Sequence, residues 1–343
     1  MKAALLAAGK GNRLRPATDL IPKPLLPIAC STLLGHNLLQ LTQFQDIYVV
    51  VCYMRELFRE YERKYGLKLI DQGEPLGTGH AVLKLADFVR DDLLLVYSDI
   101  YLPPGFLNDM LAKKDKYDHL VAVAPVERPW EFGVIEKEGS LLKRIVEKPR
   151  RGEEPSNLVV AGAFLLSQSI FDVLARLGPS PRGEIELTSA LTEVARRGER
   201  VGLVEVHPWV DAGRREDFLR AQELLLRDLL SGYRRVPEGF RVEGSLVVGG
   251  DASALESTFL GPSCINARVE NSTIGPNVYL QRDSVVIRSK VRDSVVMTGS
   301  LIESSEVLSS IVSGDARILN SVVINSITPS AIELRNSRFD FST

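Results

Sequence analysis

From Val236-Pro237 onward the chain loses helical periodicity and begins to repeat itself. Six short runs, Asn271-Ser-Thr-Ile274, Asp283-Ser-Val-Val286, Asp293-Ser-Val-Val296, Gly299-Ser-Leu-Ile302, Ser309-Ser-Ile-Val312 and Asn320-Ser-Val-Val323, place small polar residues ahead of aliphatic ones. Gly-Pro turns at Gly261-Pro262 and Gly275-Pro276 keep the same rhythm. A strand this short cannot bury its apolar face alone. Self-similar strands divided by turn residues therefore predict a β-solenoid, each unit stacked on the last. A β-sandwich of short strands is the alternative, but it does not ask its strands to be so alike. At roughly three strands per coil, residues 240 to 330 make a handful of coils.

The first 235 residues obey a different rule. Apolar runs at Lys2–Ala7, Ile47–Cys52, Leu67–Ile70, Leu93–Tyr97, Leu120–Pro125, Leu158–Leu166 and Val201–Val206 read as strands. Amphipathic segments at Leu33–Leu41, Met54–Tyr65 and Thr78–Val89 lie between the early ones, and Arg214–Leu230 closes this half as a long helix. The alternation predicts an α/β, Rossmann-like, mostly parallel sheet with helices on both faces. A hairpin is expected around Glu138-Gly139, between Gly133–Lys137 and Leu141–Val146. The expected domains are 1–235 and 236–343.

Bulk properties exclude several function classes. The 343 residues are 45% hydrophobic and 25% charged, with a net charge of −2. That balance offers no electrostatic case for nucleic acid or an anionic membrane as partner. Ala3–Ala8 is too short for a signal peptide and no longer run looks membrane-spanning, so a cytoplasmic enzyme is the default expectation. Cys30, Cys52 and Cys264 form no close pair, which predicts neither a disulfide framework nor a zinc site. His36, His80, His119 and His207 have no triad or metal-ligand spacing, and core or surface roles are expected for all four.

The first strand runs into Leu6-Ala7-Ala8-Gly9-Lys10-Gly11-Asn12-Arg13, with Lys23 following between two prolines. Glycines at 9 and 11 let backbone N–H groups approach an anion, and Lys10, Arg13 and Lys23 can neutralise the several charges of a triphosphate. A dinucleotide fingerprint is excluded because Leu14 stands where its third glycine belongs; a P-loop is excluded because its glycine spacing and Ser/Thr are missing. An ordinary glycine turn is the plain alternative. Further along, Gln72 and Gly77-Thr78-Gly79 lie between a strand and a helix, where Gln72 offers a donor and an acceptor to a base edge. Thr78 could equally be the N-cap of that helix. Asp99 and Asp211 each follow a strand, where a carboxylate in a phosphate site commonly holds a metal and otherwise serves as an N-cap or turn residue.

These motifs resemble, in order, those of the nucleotidyltransferases that join sugar 1-phosphates to nucleoside triphosphates. The loop resembles their Gly-x-Gly-Thr-Arg-Leu-x-Pro signature, with Asn12 in place of Thr, and Pro22-Lys23-Pro24 their Pro-Lys-Pro. Gln72 to Thr78 resembles the base-recognition segment, while Asp99 and Asp211 resemble the magnesium ligands, with Ser98 where the family has Gly. Gly133, Glu147-Lys148-Pro149, Ser156-Asn157 and Ala161-Gly162 resemble the sugar and sugar-phosphate contacts. The tetrads after residue 236 resemble hexapeptide repeats of the left-handed β-helix, with irregular spacing.

The resemblance implies Mg2+ as cofactor, and a nucleoside triphosphate and a hexose 1-phosphate as substrates. UTP or dTTP with glucose 1-phosphate is favoured, and mannose 1-phosphate with GTP is the competitor. Arg13 and Lys10 would hold the β/γ phosphates, Lys23 the transferring phosphate and Lys148 the attacking one, with Leu6 to Asn12 lining the nucleotide. A bifunctional enzyme adding acyl transfer is a second reading. That chemistry typically needs a histidine base, and none occurs after His207. A non-catalytic regulatory subunit, hinted at by Asn12 and Ser98, is a third. The β-helix is expected to make a homo-oligomer through its flat faces and uncapped end.

Overall fold

The computed structural model describes residues 1–341. It divides into two compact units that do not follow chain order: Met1–Gly9 with Asn37–Trp209, and Lys10–His36 with the chain from Val210 onward.

The first unit is built on a nine-stranded sheet. Its order is Lys68–Asp71, Ile47–Val51, Lys2–Leu6, Leu93–Tyr97, Leu158–Leu166, His119–Pro125, Val201–Glu205, Leu141–Glu147 and Gly133–Glu138. Lys2–Leu6 pairs in parallel with both neighbours, so the first four strands end at one edge. Leu158–Leu166 enters antiparallel between Leu93–Tyr97 and His119–Pro125, which makes the sheet mixed. The uninterrupted apolar runs are the central strands, with Leu93 to Leu95 and Phe164 fully buried. The hairpin forms as expected, Gly133–Glu138 on Leu141–Glu147, with Gly139 at φ +61°.

Helices are less faithful to the sequence reading. Thr78–Val89 is helical only over Thr78–Leu83. Met54–Tyr65 begins as a 3₁₀ turn, Arg55–Phe58, after Met54 at φ +51°, and becomes α-helical only over Arg59–Tyr65. Two amphipathic helices that the reading omitted, Ser169–Arg176 and Leu187–Arg196, bury Phe171, Leu174, Leu187, Leu191 and Val194 in the same core.

In the second unit the repeats form a left-handed parallel β-helix of three six-stranded sheets, parallel except for Phe240–Glu243, which pairs antiparallel with Leu246–Gly249. Successive coils stack at an interval of about 16 residues, as in the pairings Val285↔Leu301, Leu301↔Arg317 and Arg317↔Glu333. The tetrads have a physical explanation. Asn271, Asp283, Asp293, Ser309 and Asn320 all adopt positive φ, so the first tetrad residue turns the corner, a conformation Asn and Asp tolerate better than most. The serine that follows is buried. Ser321 Oγ donates to Leu319 O at 2.8 Å and accepts from Ser337 N at 3.1 Å. Ser289, Ser305 and Ser321 continue the ladder coil to coil. One hydroxyl thus satisfies a carbonyl in its own coil and an N–H in the next, leaving no buried polar cost. Val286, Ile302, Ile318 and Val323 fill the interior.

The helix Arg215–Leu230 belongs to this unit. Its Gln222 Nε2 donates to Asn277 O at 3.0 Å, and Asn277 Nδ2 donates to Leu219 O at 3.1 Å. The cysteine expectation is corrected here, because Cys30 and Cys264 form a disulfide across 234 positions of sequence. Spacing cannot reveal such a pair; only stacking of the β-helix against Lys10–His36 brings the thiols together.

The disulfide closes a very long loop, and removing such a link destabilises by about 2–5 kcal/mol. Thiol reductant, or Cys264→Ala, is expected to lower the melting temperature by several degrees while Cys52→Ala leaves it unchanged; calorimetry checks this. His36 is buried with Nε2 donating to Ile28 O and Ala29 O, and burial, aided by Arg234, lowers its pKa to about 3. A histidine whose folded pKa lies below its unfolded value adds stability above pH ~6.5 that is lost as pH falls toward the folded value. Between pH 7 and 5 this group should remove about 2 kcal/mol. Urea midpoints of His36→Gln are expected to vary less with pH than those of the unaltered protein over that range.

Candidate active site

The glycine loop leaves the first unit at Gly9 and enters the second at Lys10. Gly11 stands at φ +66°, and a Cβ there would lie 2.8 Å from that of Lys23. Its glycine is therefore demanded by a protein neighbour as well as by any anion. Thr18 Oγ1 donates to Gly11 O at 2.9 Å and holds the turn. Lys23 sits in a short 3₁₀ turn, 5% exposed, and its Nζ meets Asp211 Oδ1 at 3.1 Å. Arg13, half exposed, reaches the other oxygen, Oδ2, at 3.4 Å. One carboxylate thus holds two of the loop's cations. Gly213 makes room for this arrangement, since a Cβ there would lie 2.5 Å from the Arg13 guanidinium. Lys10 and Asn12 are exposed.

Four features of the first unit concern the remaining predicted residues. Ser98 is fully buried, and both its N–H and its hydroxyl donate to Leu6 O, at 3.0 and 2.6 Å. The serine that departs from the family pattern therefore clamps the end of the first strand beside Ala7-Ala8, and Asp99 follows it in the same turn.

Gln72, buried, places its Nε2 on Gly77 O at 3.0 Å and on His80 Nδ1 at 3.3 Å. Gly77 is the N-cap of Thr78–Leu83, at φ +107°, and a Cβ on it would meet Ile185 O at 2.6 Å. The alternative of Thr78 as capping residue is thereby corrected: its Oγ1 instead accepts from Leu187 N at 3.1 Å. The glycines admit the segment 184–187, whose Ile185 O accepts from Gly79 N at 2.7 Å.

Glu147 is largely buried. Thr188 Oγ1 donates to it at 3.2 Å and Arg182 reaches it at 3.4 Å, while Arg182 also pairs with Glu186 at 3.3 Å. Burial, then the nearby Glu186 charge, pushes its carboxyl above the usual range. Gly133 lies opposite it in the hairpin, where a Cβ would crowd Glu147 Oε2 at 2.9 Å. The exposed Lys148 follows at φ +45°, its N–H on Phe132 O.

Gly162, at φ +80°, sits at an irregularity in its strand with Tyr97 where a Cβ would be, and Trp209 Nε1 donates to the neighbouring Ala161 O at 2.8 Å. Asn157 is exposed, whereas Ser156 Oγ braces Ile135 O at 2.7 Å.

Sequence reasoning missed Arg182, Glu186 and Thr188. The available signal was a buried-helix pattern, Leu187, Ala190, Leu191 and Val194, preceded by acidic residues. Among the described residues, no group of three or more His, Cys, Asp or Glu is arranged to hold a metal ion. Of the histidines, His36 and His119 are buried, the latter against Glu199 at 3.0 Å.

Residues 2–228 match the family described as Nucleotidyl transferase. The "Bifunctional protein GlmU" of Methanococcus maripaludis is 35% identical over 252 residues, 72% of this chain and 60% of that protein. The chain thus spans less than two thirds of that relative's length. The "Glucose-1-phosphate thymidylyltransferase" of Streptomyces griseus is 31% identical over 88% of each chain. A crystal structure of UDP-glucose pyrophosphorylase complexed with UDP-glucose superposes with a TM-score of 0.59 at 26% identity, covering 66% of this chain and 98% of that one.

Gly213→Ala should displace the flexible end of Arg13 and press on Asp211 Oδ2, 3.0 Å from the added Cβ. The expected result is an unchanged melting temperature with triphosphate affinity weakened about tenfold, read by calorimetric titration.

Proposed function

Since the chain belongs to the nucleotidyl transferase family, we propose that it transfers a nucleotidyl group to a hexose 1-phosphate. A phosphate oxygen of the sugar 1-phosphate bonds to the α-phosphorus of a nucleoside triphosphate as the bond to pyrophosphate breaks. The products are a nucleoside diphosphate sugar and pyrophosphate. The observation that carries the reading is the loop itself, whose Lys23 and Arg13 converge on Asp211 within the span matched to the family.

The nucleophile is already an anion, so no general base is needed. Positioning and charge neutralisation supply the rate. Arg13 and Lys10 neutralise the β/γ phosphates, Lys23 the α-phosphate and Lys148 the incoming phosphate. Leu6 to Asn12 line the nucleotide, with Gln72, Gly77 and Thr78 at the base. Gly133, Glu147, Asn157 and Gly162 take the sugar, and the raised carboxyl of Glu147 suits hydrogen bonding to hydroxyls.

Magnesium is the metal of this reading, with Asp99 and Asp211 as its carboxylate ligands. Mg2+ usually takes one or two protein carboxylates alongside substrate phosphates, so a hard oxygen donor set without a larger cluster fits it. When bound, it would withdraw charge from the α-phosphate.

UTP or dTTP with glucose 1-phosphate is the favoured pair. Residues 1–235 form the catalytic part and 236–343 the β-helix, which joins copies of the chain, in the cytoplasm. No helix among the described residues is long and apolar enough to cross a membrane. The name of the methanococcal relative favours a second, bifunctional reading. Residues 208–343 contain no histidine, so acetyl-CoA with a hexosamine 1-phosphate is expected to give no product.

Pyrophosphate release across a panel of triphosphates and sugar 1-phosphates tests the proposal. Turnover with at least one pair is expected, and none with any pair overturns it. Asp99→Asn and Asp211→Asn keep a side chain beside their neighbours, including the buried Lys23. Each is expected to cut turnover about a thousandfold, Asp99→Asn with an unchanged melting temperature and Asp211→Asn with a lowered one because it removes the charge facing the buried Lys23, and full activity in both would end the metal assignment.

A further inference from the structure

Gln72 follows the strand Lys68–Asp71 and is 2% exposed, with its backbone N–H held by Val51 O at 2.7 Å. Its side-chain nitrogen has two neighbours, Gly77 O at 3.0 Å and His80 Nδ1 at 3.3 Å. A backbone carbonyl can only accept, so the amide must turn its nitrogen, not its oxygen, toward Gly77. The second amide proton falls to His80, which can accept it only as a neutral imidazole carrying its own proton on Nε2.

Its surroundings favour that form. Burial, reinforced by the charge of Lys84, holds His80 below the ordinary histidine value against the opposing pull of Glu74. The ring is also carried on a fixed backbone, since His80 N and Gly79 N both donate to Ile185 O, at 3.3 and 2.7 Å. Both protons of the Gln72 amide are therefore consumed within the protein. Only Oε1, an acceptor, is left to meet a ligand.

We propose that His80 is a positioning residue for base specificity: by taking the second amide proton of Gln72, it leaves the site an acceptor that requires an N–H on the base. The imide N3–H of uracil or thymine supplies one. Cytosine presents an acceptor at N3 and would set two lone pairs against each other in a buried place. Without His80 the amide is free to pivot about its remaining bond and offer a proton, so discrimination should fall. The inference rests on the nucleotidyl-transfer reading and adds to it the group that orients the base contact.

The test compares kcat/KM for UTP and CTP in the full-length protein, His80→Ala and His80→Asn, with melting temperatures. The Asn Oδ1 can stand where Nδ1 stood. His80→Ala is expected to lower the UTP:CTP preference about tenfold through KM, with kcat for UTP within about twofold, and His80→Asn to restore most of the preference. An unchanged ratio in His80→Ala, equal losses for both nucleotides, or a His80→Asn no better than His80→Ala would overturn the proposal. So would an unaltered protein that prefers CTP. If the unaltered protein releases pyrophosphate from no triphosphate, the nucleotidyl-transfer reading fails and this inference with it. Activity with an unmoved ratio refutes the role of His80 alone.

Discussion

The carboxylate of Asp211 holds the cationic loop together. Lys23 is almost wholly buried, and an ammonium removed from water persists only with a partner of opposite charge. That partner comes from 188 residues away and also takes the guanidinium of Arg13, so one side chain fixes two of the loop's charges. The pair is poor evidence for stability, because desolvation offsets much of the Coulomb gain. Its consequence is geometric: the buried ammonium of Lys23 and the half-exposed guanidinium of Arg13 are held at a set spacing by one carboxylate.

The glycines make the same point from the other side. Gly11 leaves space for Lys23, Gly77 for Ile185, Gly133 for Glu147 and Gly213 for Arg13. In each case the missing side chain admits another part of the protein that carries or braces a candidate functional group. Glycine-rich motifs invite a reading in which the backbone approaches a ligand. Here close packing within the protein already requires them, since a methyl group would crowd Lys23, the Ile185 backbone, Glu147 or Arg13.

Much of the fold was legible because periodicity is a local property. The strand runs Leu93–Tyr97 and Leu158–Leu166 are uniformly apolar and are the buried strands found. The Asn/Asp-Ser tetrads were legible for a comparable reason, since each corner of the β-helix needs a left-handed residue and each coil a buried serine in the same place. Helix ends were read less well. Thr78–Leu83 is shorter than its amphipathic pattern, and the segments 169–176 and 187–196 passed unread although their apolar spacing is regular. The candidate site could be proposed from the sequence as a list of residues but not as a set of contacts: Ser98 on Leu6, and Arg182 and Thr188 on Glu147, carry no sequence mark of what they touch.

The sequence by itself determined that this protein has two architectures in one chain and a glycine-rich, cationic loop after its first strand, and its motifs resemble, in order, those of the sugar nucleotidyltransferases. Composition and short-range pattern suffice for that, because turns, strands and coil corners are set by neighbours a few residues apart. Tertiary structure alone decided that Cys30 meets Cys264, that Asp211 takes Lys23 and Arg13, and that His80 faces the amide of Gln72. These pairings depend on how sheets stack and where segments such as 184–187 cross, and folding brings together residues whose separation along the chain says nothing of their distance in space.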